Sequence, residues 1–122
     1  MIYYDSIKMN TNKIRIDVKP LSDNKLWKGV HRKTYEYLKY ESKILKLIPD
    51  TFSLEKRKTK LHFTFWFSNR RSDASNPLKA LCDILWKKFE ERDDRFIYRL
   101  EVDKVITKKG EEFIEIEYSY LD

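Results

Sequence analysis

The stretch LHFTFWF at residues 61–67 constrains the fold of this chain more than any other part of its sequence. In an extended strand, successive side chains point to opposite faces, so this stretch presents large side chains on both faces. The two faces carry Leu61, Phe63, Phe65 and Phe67 on one side and His62, Thr64 and Trp66 on the other. We therefore predict a central strand that is covered on both faces, or covered on one face and placed at a subunit interface by the other.

Ahead of this strand, the sequence predicts one strand, one loop and one helix. KIRIDV at residues 13–18 alternates between apolar and polar side chains, which is typical of a strand. The basic segment of residues 19–33 has few periodic apolar residues and predicts a loop. From Thr34 to Ile48, apolar residues recur at helical spacing, apart from Glu41, and Pro49 ends the predicted helix.

After the central strand, a second helix is predicted with Asn76 as its N-cap and Pro77 at its first position. Its predicted buried stripe consists of Leu78, Leu81, Cys82, Leu85 and Phe89. Residues 96–107 and 112–118 then predict two strands joined by a hairpin turn, in which Gly110 is available for positive φ.

The resulting order, β-α-β-α-β-β, predicts a single α/β (α+β) domain over residues 1–122, with a mixed four-stranded sheet and two helices. A chain of 122 residues is long enough for one hydrophobic core. The sequence holds two glycines, which argues against a glycine-rich phosphate loop or a dinucleotide fold, because those loops need glycine for close backbone approach.

The chain is basic, with 26 Lys and Arg against 20 Asp and Glu and a formal net charge of +6. This excess favours a polyanionic partner, nucleic acid ahead of an acidic membrane surface; the alternative is a soluble protein with a basic bias. The single cysteine, Cys82, excludes an internal disulfide and a cysteine-based zinc site, which fits a reducing compartment. The sequence has neither a signal-peptide pattern nor an apolar run of about 18 residues, so we expect a cytoplasmic protein without a membrane span.

Three aspartates need an explanation: Asp73 in the turn before the second helix, Asp83 within it, and Asp94 at the start of the next strand. A structural explanation exists for two of them, because Asp73 can cap its turn and Asp94 can begin a strand without any chemistry. However, Mg²⁺ prefers carboxylate oxygens, and a nuclease needs such ligands within a basic surface that holds phosphates. Lys79 can place an ammonium near a phosphate, or can pair with Asp83 one helical turn away.

The segments SDASNPLKALCDIL and DDRFIYRLEV resemble the metal-binding core of the RusA family of Holliday junction resolvases. The family pattern is an aspartate, any residue, an aspartate, an asparagine and, three further on, a lysine. A helix with a later aspartate follows, and another aspartate heads the next strand. These positions correspond here to Asp73, Ser75 (in place of the second aspartate), Asn76, Lys79, Asp83 and Asp94. The resemblance continues upstream and downstream and covers roughly residues 14 to 118.

The resemblance implies a homodimeric endodeoxyribonuclease that depends on Mg²⁺, for which Mn²⁺ can substitute. It implies that Asp73 and Asp94 are metal ligands. It also implies that Asn76 and Lys79 position or stabilise the scissile phosphate of branched DNA, in this family a four-way junction.

Ser75 departs from the family pattern, because it has a neutral hydroxyl where the family has a carboxylate. One anionic ligand fewer weakens a Mg²⁺ site, since such sites rely on few carboxylates. Three alternatives are open. Ser75 coordinates weakly or through water while Asp73 and Asp94 hold the metal, Asp83 or Asp93 takes part of the vacant position, or the protein binds branched DNA and cuts it poorly or not at all.

The distance between the two remaining ligands raises a second question. A helix over residues 77–90 is roughly 20 Å long at 1.5 Å per residue, and Asp73 and Asp94 lie beyond its opposite ends. They can share a metal ion only if the chain folds back or if a second subunit supplies one of them, which a homodimer allows.

A DNA-binding surface is predicted from the cations of the basic loop and of the turn before the second helix. Several cations add up in phosphate binding, although each alone is typical of solvated surface. Trp27 within that loop can stack on an unpaired base or anchor local packing. The predicted set is Lys25, Trp27, Lys28, Arg32, Lys33, Arg70 and Arg71.

Overall fold

The computed structural model of the chain describes residues 13–21, 27–28, 32–33, 35–88 and 94–121, and of residues 27, 28, 32, 33, 76 and 94 it describes the backbone only. Its elements are β1 (Lys13–Ile16), β2 (Trp27–Lys28), β3 (Arg32–Lys33), α1 (Tyr35–Leu47), β4 (Thr59–Phe67), α2 (Ser75–Lys88), a 3₁₀ turn (Asp94–Phe96), β5 (Ile97–Ile106) and β6 (Phe113–Tyr120). The predicted order and the α+β class are confirmed. A short hairpin, β2–β3, stands within the segment that was predicted to be a loop.

The mixed sheet has the strand order β1-β6-β4-β5, which confirms that β4 is a central strand. β4 runs parallel to β5 and antiparallel to β6. Its apolar face is buried in the core against α1 and α2, whose Tyr37, Ile44 and Leu81 belong to the same cluster. On the other face, the Trp66 Nε1–H donates to Glu115 at 2.8 Å, so the indole contacts a side chain of the neighbouring strand β6.

The hairpin predicted between β5 and β6 is wrong, because β4 lies between these two strands. The connection between them, residues 107–112, passes the end of β4, where the Thr107 N–H donates to the Phe67 carbonyl at 2.7 Å. Gly110 does adopt the expected positive φ, at 91°. Alternation in a sequence predicts which face a strand buries, and it leaves the choice of pairing partner open.

The start of α2 also differs from the prediction, because the helix begins at Ser75 and Asn76 lies within its first turn. The Ala74 carbonyl accepts the first helical N–H, that of Leu78, at 3.1 Å, and the Asp73 Oδ1 accepts the Ser75 N–H at 2.9 Å just ahead of the helix. Pro77 remains acceptable because it lies in the first turn, where backbone N–H groups have no partner within the helix.

The buried stripe of α2 is rotated relative to the predicted one. Leu81 and Leu85 are buried as predicted, whereas Leu78 and Cys82 are half-buried and Phe89 lies outside the described residues. The fully covered positions are Ala80, Leu81, Ile84 and Leu85.

Glu41, the break in the apolar spacing of α1, is buried, with 6% of its surface exposed. The Lys87 ammonium on α2 donates to its Oε1 at 2.9 Å. This ion pair joins the two helices and explains why a carboxylate is tolerated at an apolar position.

Because β4 and β5 are parallel, their carboxyl ends lie on the same side of the sheet. We call the two sides at which the strands end the upper and the lower edge; the term edge strand keeps its usual meaning. The upper edge is formed by the carboxyl ends of β4 and β5 with segments 68–73 and 107–112, and the lower edge by residues 55–58, the 3₁₀ turn and the end of β6. α2 returns the chain from the upper to the lower edge. In the described part of the chain, no helix has both the length and the hydropathy needed to cross a bilayer.

Candidate functional site

Asp73 lies exposed in the turn that leads from β4 to α2, at the upper edge. Its carboxylate accepts hydrogen bonds from the backbone N–H and the hydroxyl of Ser75, which lower its pKa below the ordinary value, and the nearby Lys104 ammonium lowers it further. The carboxylate is therefore held in its ionised form. A carboxylate offers about four acceptor positions, so these two bonds leave room for a cation.

The structure brings Ser75 into contact with Asp73, and Lys79 follows one helical turn later. Ser75 and Lys79 are four residues apart in α2 and both exposed, so they share one face of the helix. Asp83 continues this exposed face one turn further on. Asn76 lies in the first turn of the same helix. The acid and the hydroxyl therefore form a bonded group at the amino end of α2, with Lys79 one helical turn further along the same exposed face.

Arg70 and Arg71 are exposed in the turn that carries Asp73. Asn69 shapes this turn, because its Oδ1 accepts the Arg71 N–H at 2.8 Å and its carbonyl accepts the Ser72 N–H at 3.3 Å. Arg70 and Arg71 thus precede the acid by three and two residues in the same exposed turn, and their contact with DNA stays a prediction.

Lys104 on β5 is a residue of this site that the sequence reasoning missed. Its ammonium donates to the carbonyl oxygen of Arg70 at 2.6 Å and also to the carbonyl oxygen of Ser72. A signal was present in the sequence, since Lys104 is the one charged residue on the β5 face otherwise formed by Tyr98, Leu100, Val102 and Ile106.

Asp94 begins the 3₁₀ turn ahead of β5, at the lower edge. Lys104, which contacts the Asp73 turn, follows Ile97 by seven residues of strand, a separation of roughly 23 Å at about 3.3 Å per residue. Within one chain, Asp73 and Asp94 are therefore far apart. Among the described residues, no group of three or more His, Cys, Asp or Glu could hold a metal ion.

Four of the predicted DNA-binding residues lie in the β2–β3 hairpin. Its register places Trp27 opposite Lys33 and Lys28 opposite Arg32, so the backbone pairs these positions across a short antiparallel ribbon. Lys25 and Asp93 lie outside the described residues.

Cys82 and His62 have no part in this group. Burial, and next the Asp83 charge, raise the pKa of the Cys82 thiol to about 11, so the thiol stays protonated and unreactive. The His62 ring lies on the other face of the sheet, where its Nε2 is 2.6 Å from Asp103.

Comparison with known proteins adds one finding. The chain matches the family model described as Endodeoxyribonuclease RusA over residues 22–117, a span that includes the Asp73 turn, α2 and the start of β5. No curated protein matches the chain.

Proposed function

Because this chain belongs to the RusA endodeoxyribonuclease family, we propose that it cuts four-way DNA junctions as a Mg²⁺-dependent homodimer. The observation that carries the proposal is the ionised Asp73 carboxylate at the amino end of α2, in a turn that also holds the exposed Arg70 and Arg71 and one helical turn ahead of the exposed Lys79. An acid within a basic surface is the arrangement that metal-assisted phosphodiester cleavage requires.

Asp73 and Asp94 are the proposed metal ligands. The exposed Asp73 carboxylate fits a hard cation, because it is ionised and its two bonds to Ser75 leave acceptor positions for one. When bound, Mg²⁺ or Mn²⁺ supplies an activated water and stabilises the leaving oxygen.

The other residues of the group bind and orient the DNA backbone. The Lys79 ammonium donates hydrogen bonds to the oxygens of the scissile phosphate. Asn76, in the first turn of the same helix, positions that phosphate. Arg70 and Arg71 bind neighbouring phosphates, each as a forked donor that suits a phosphate group. Lys25, Trp27, Lys28, Arg32 and Lys33 form the proposed second contact with the junction.

The separation of the two acids supports the proposed homodimer. β5 is an edge strand that exposes Tyr98, Leu100 and Ile106, and such an edge favours pairing with another chain. In an antiparallel β5–β5 contact around a two-fold axis, the amino end of one strand lies beside the carboxyl end of the other. Asp94 of the partner subunit would then lie next to Asp73, and the dimer would hold two equivalent metal sites.

A non-catalytic, junction-binding protein is the second candidate, and Ser75 favours it. The Ser75 hydroxyl is hydrogen-bonded to Asp73, where the family pattern has a second carboxylate. This bond strengthens the ionisation of Asp73 but brings no second negative charge, so cation binding is weaker than with two acids.

Cleavage of a labelled four-way junction, with linear duplex as the reference, distinguishes the two candidates. We expect cutting of the junction with Mg²⁺ or Mn²⁺, none with a chelator, and none by Asp73→Asn. Ser75→Asp is expected to lower the metal concentration that half-maximal cutting requires. Wild-type protein that binds the junction but never cuts it, while Ser75→Asp cuts it, would establish the non-catalytic candidate; equal affinity for junction and duplex would contradict both.

A further inference from the structure

The Lys104 side chain holds the turn that carries Asp73. Its ammonium donates to two carbonyl oxygens of that turn, those of Arg70 and Ser72. An ammonium has three donors and no acceptor, so it can bind two carbonyl groups of one turn at once. Hydrogen bonds from a charged donor are roughly twice as strong as those between neutral groups.

The hydrogen bond to the Ser72 carbonyl also restrains Asp73, because the two residues share a peptide unit. The Ser72 carbonyl and the Asp73 N–H belong to the same planar unit, so fixing that carbonyl oxygen also fixes the position of the Asp73 backbone. On its other side, the Asp73 carboxylate is bonded to Ser75 at the start of α2. Asp73 is thus held from both directions.

β5 is a rigid support for this contact. It is paired with β4 in register from Lys60 to Phe67, and Lys104 stands opposite the buried Phe65. Catalytic geometry depends on side chains supported by such regular elements, because a ligand that moves by about 1 Å loses much of its effect.

From this geometry we propose that Lys104 is a positioning residue, which fixes the Asp73 turn so that its carboxylate is preorganised for the divalent cation. The proposal rests on the proposed function in assigning Asp73 to a metal. Lys104 acts through the backbone of the turn and needs no contact of its own with DNA or metal.

The experiment compares Lys104→Met, which keeps the length of the side chain and removes its donors, with Lys104→Arg, which keeps charge and donors. Lys60→Met is the matched control, since it removes a strand lysine whose ammonium pairs with Glu101, at the lower edge. Amide hydrogen exchange is measured on the metal-free protein. We expect faster exchange of residues 70–75 in Lys104→Met, near wild-type exchange in Lys104→Arg, and no change in that segment in Lys60→Met.

Calorimetric Mn²⁺ binding is the second measurement. We expect the affinity of Lys104→Met to fall about 10- to 100-fold, the usual effect of losing a residue that orients a metal ligand, with partial recovery in Lys104→Arg. Excess Mn²⁺ should restore the cleavage rate of Lys104→Met, which a damaged fold would not permit.

Unchanged exchange in residues 70–75 of Lys104→Met would overturn the proposal, as would faster exchange spread over the whole protein. Because exchange is measured without metal or DNA, its outcome does not depend on whether the protein is a nuclease. A wild-type protein that binds no Mn²⁺, with the expected exchange result, would refute the metal-dependent function and leave Lys104 as the residue that orders the turn.

Discussion

The contacts that the structure describes differ between the two edges of the sheet. At the upper edge, Asp73 is surrounded by hydrogen bonds that start or end in its own turn, from Ser75 and Lys104. At the lower edge, the described contacts join the start of β4 to the end of β6: Arg57 lies 4.2 Å from the Tyr120 ring centroid, and the Lys58 carbonyl accepts the Leu121 N–H at 2.8 Å.

This difference suggests a division of roles. The upper edge arranges polar groups around one exposed carboxylate, and few of these groups are buried. The lower edge fastens helix ends, strand ends and the carboxyl-terminal residues to one another. We therefore expect substitutions in the Asp73 turn of the upper edge to change the chemistry, and substitutions at the lower edge, apart from Asp94, to change the stability.

The largest effect is expected for the two acids, and it tests whether Asp73 and Asp94 meet only between subunits. Asp73→Asn and Asp94→Asn should each lower cleavage about 10³-fold or more, since metal assistance contributes several kcal/mol. If each site combines Asp73 of one subunit with Asp94 of the other, a mixed dimer of the two variants contains one intact site. Mixing the unfolded variants and refolding them together should therefore restore nicking of the junction.

The control is each variant refolded alone, which should remain inactive. Mixed dimers that stay inactive, although subunit exchange is verified with a size tag, would mean that the two acids act within one chain. A wild-type protein that is monomeric at micromolar concentration would contradict the shared site directly.

The second effect concerns the ion pair that joins the helices near the lower edge. Lys87→Met leaves the buried Glu41 carboxylate without this partner, and we expect the free energy of unfolding to fall by about 2 to 3 kcal/mol. Urea denaturation at a fixed protein concentration measures this change.

Lys88→Met is the matched control, one residue further along α2. Its partner, Asp50, has a side chain that is 98% exposed, so its loss should cost about 0.5 kcal/mol or less. Equal losses for the two variants would show that burial of Glu41 does not matter, whereas a loss of cleavage without a loss of stability would contradict the division of roles.

Much of the fold could be predicted from the sequence because it depends on local patterns. The alternation of residues 61–67 identified the central strand, and helical spacing identified both helices. The pairing of β5 could not be predicted, because it depends on which strand takes the central place in the sheet. The β2–β3 hairpin has too few residues for alternation to be visible.

A motif marked the Asp73 turn and Lys79 in the sequence, and their part in a metal site stays a prediction. Lys104 and Glu41 could not be predicted, because each is a charged residue at an apolar position of its element. Such a position indicates a specific partner, but the partner becomes known only when distant segments are brought together. A charged residue at an apolar position of a helix or strand is therefore a candidate for a contact with a distant segment.

The third prediction concerns a smaller loss of stability, at the upper edge. Gly110 has a φ of 91° with no atom within 4 Å of an added Cβ, so Gly110→Ala is strained by its backbone alone. We expect a loss of about 1 kcal/mol in the free energy of unfolding, with cleavage unchanged. Gly110→Asn is the control, since Asn tolerates positive φ better and should lose less. A gain in stability for Gly110→Ala would contradict the assigned backbone conformation.

The smallest effect is a pH effect at the end of β4. The Ser68 hydroxyl donates to Glu112 at 2.7 Å, and this bond is the largest of the causes that lower the pKa of Glu112. A lowered pKa means that the ionised carboxylate stabilises the fold above the pKa of Glu in the unfolded chain. This contribution is lost as the pH falls through the lower pKa of the folded state.

Ser68→Ala should therefore raise the pKa of Glu112 and unfold slightly more easily than wild type at neutral pH. The difference in stability should vanish in acid, once Glu112 is protonated in both proteins. Carboxyl NMR titration measures the pKa, and urea denaturation across the same pH range measures the stability. Because Glu112 also accepts the Gly110 N–H at 2.8 Å, part of the lowering should persist in the variant; an unchanged pKa would show that the hydroxyl contributes nothing.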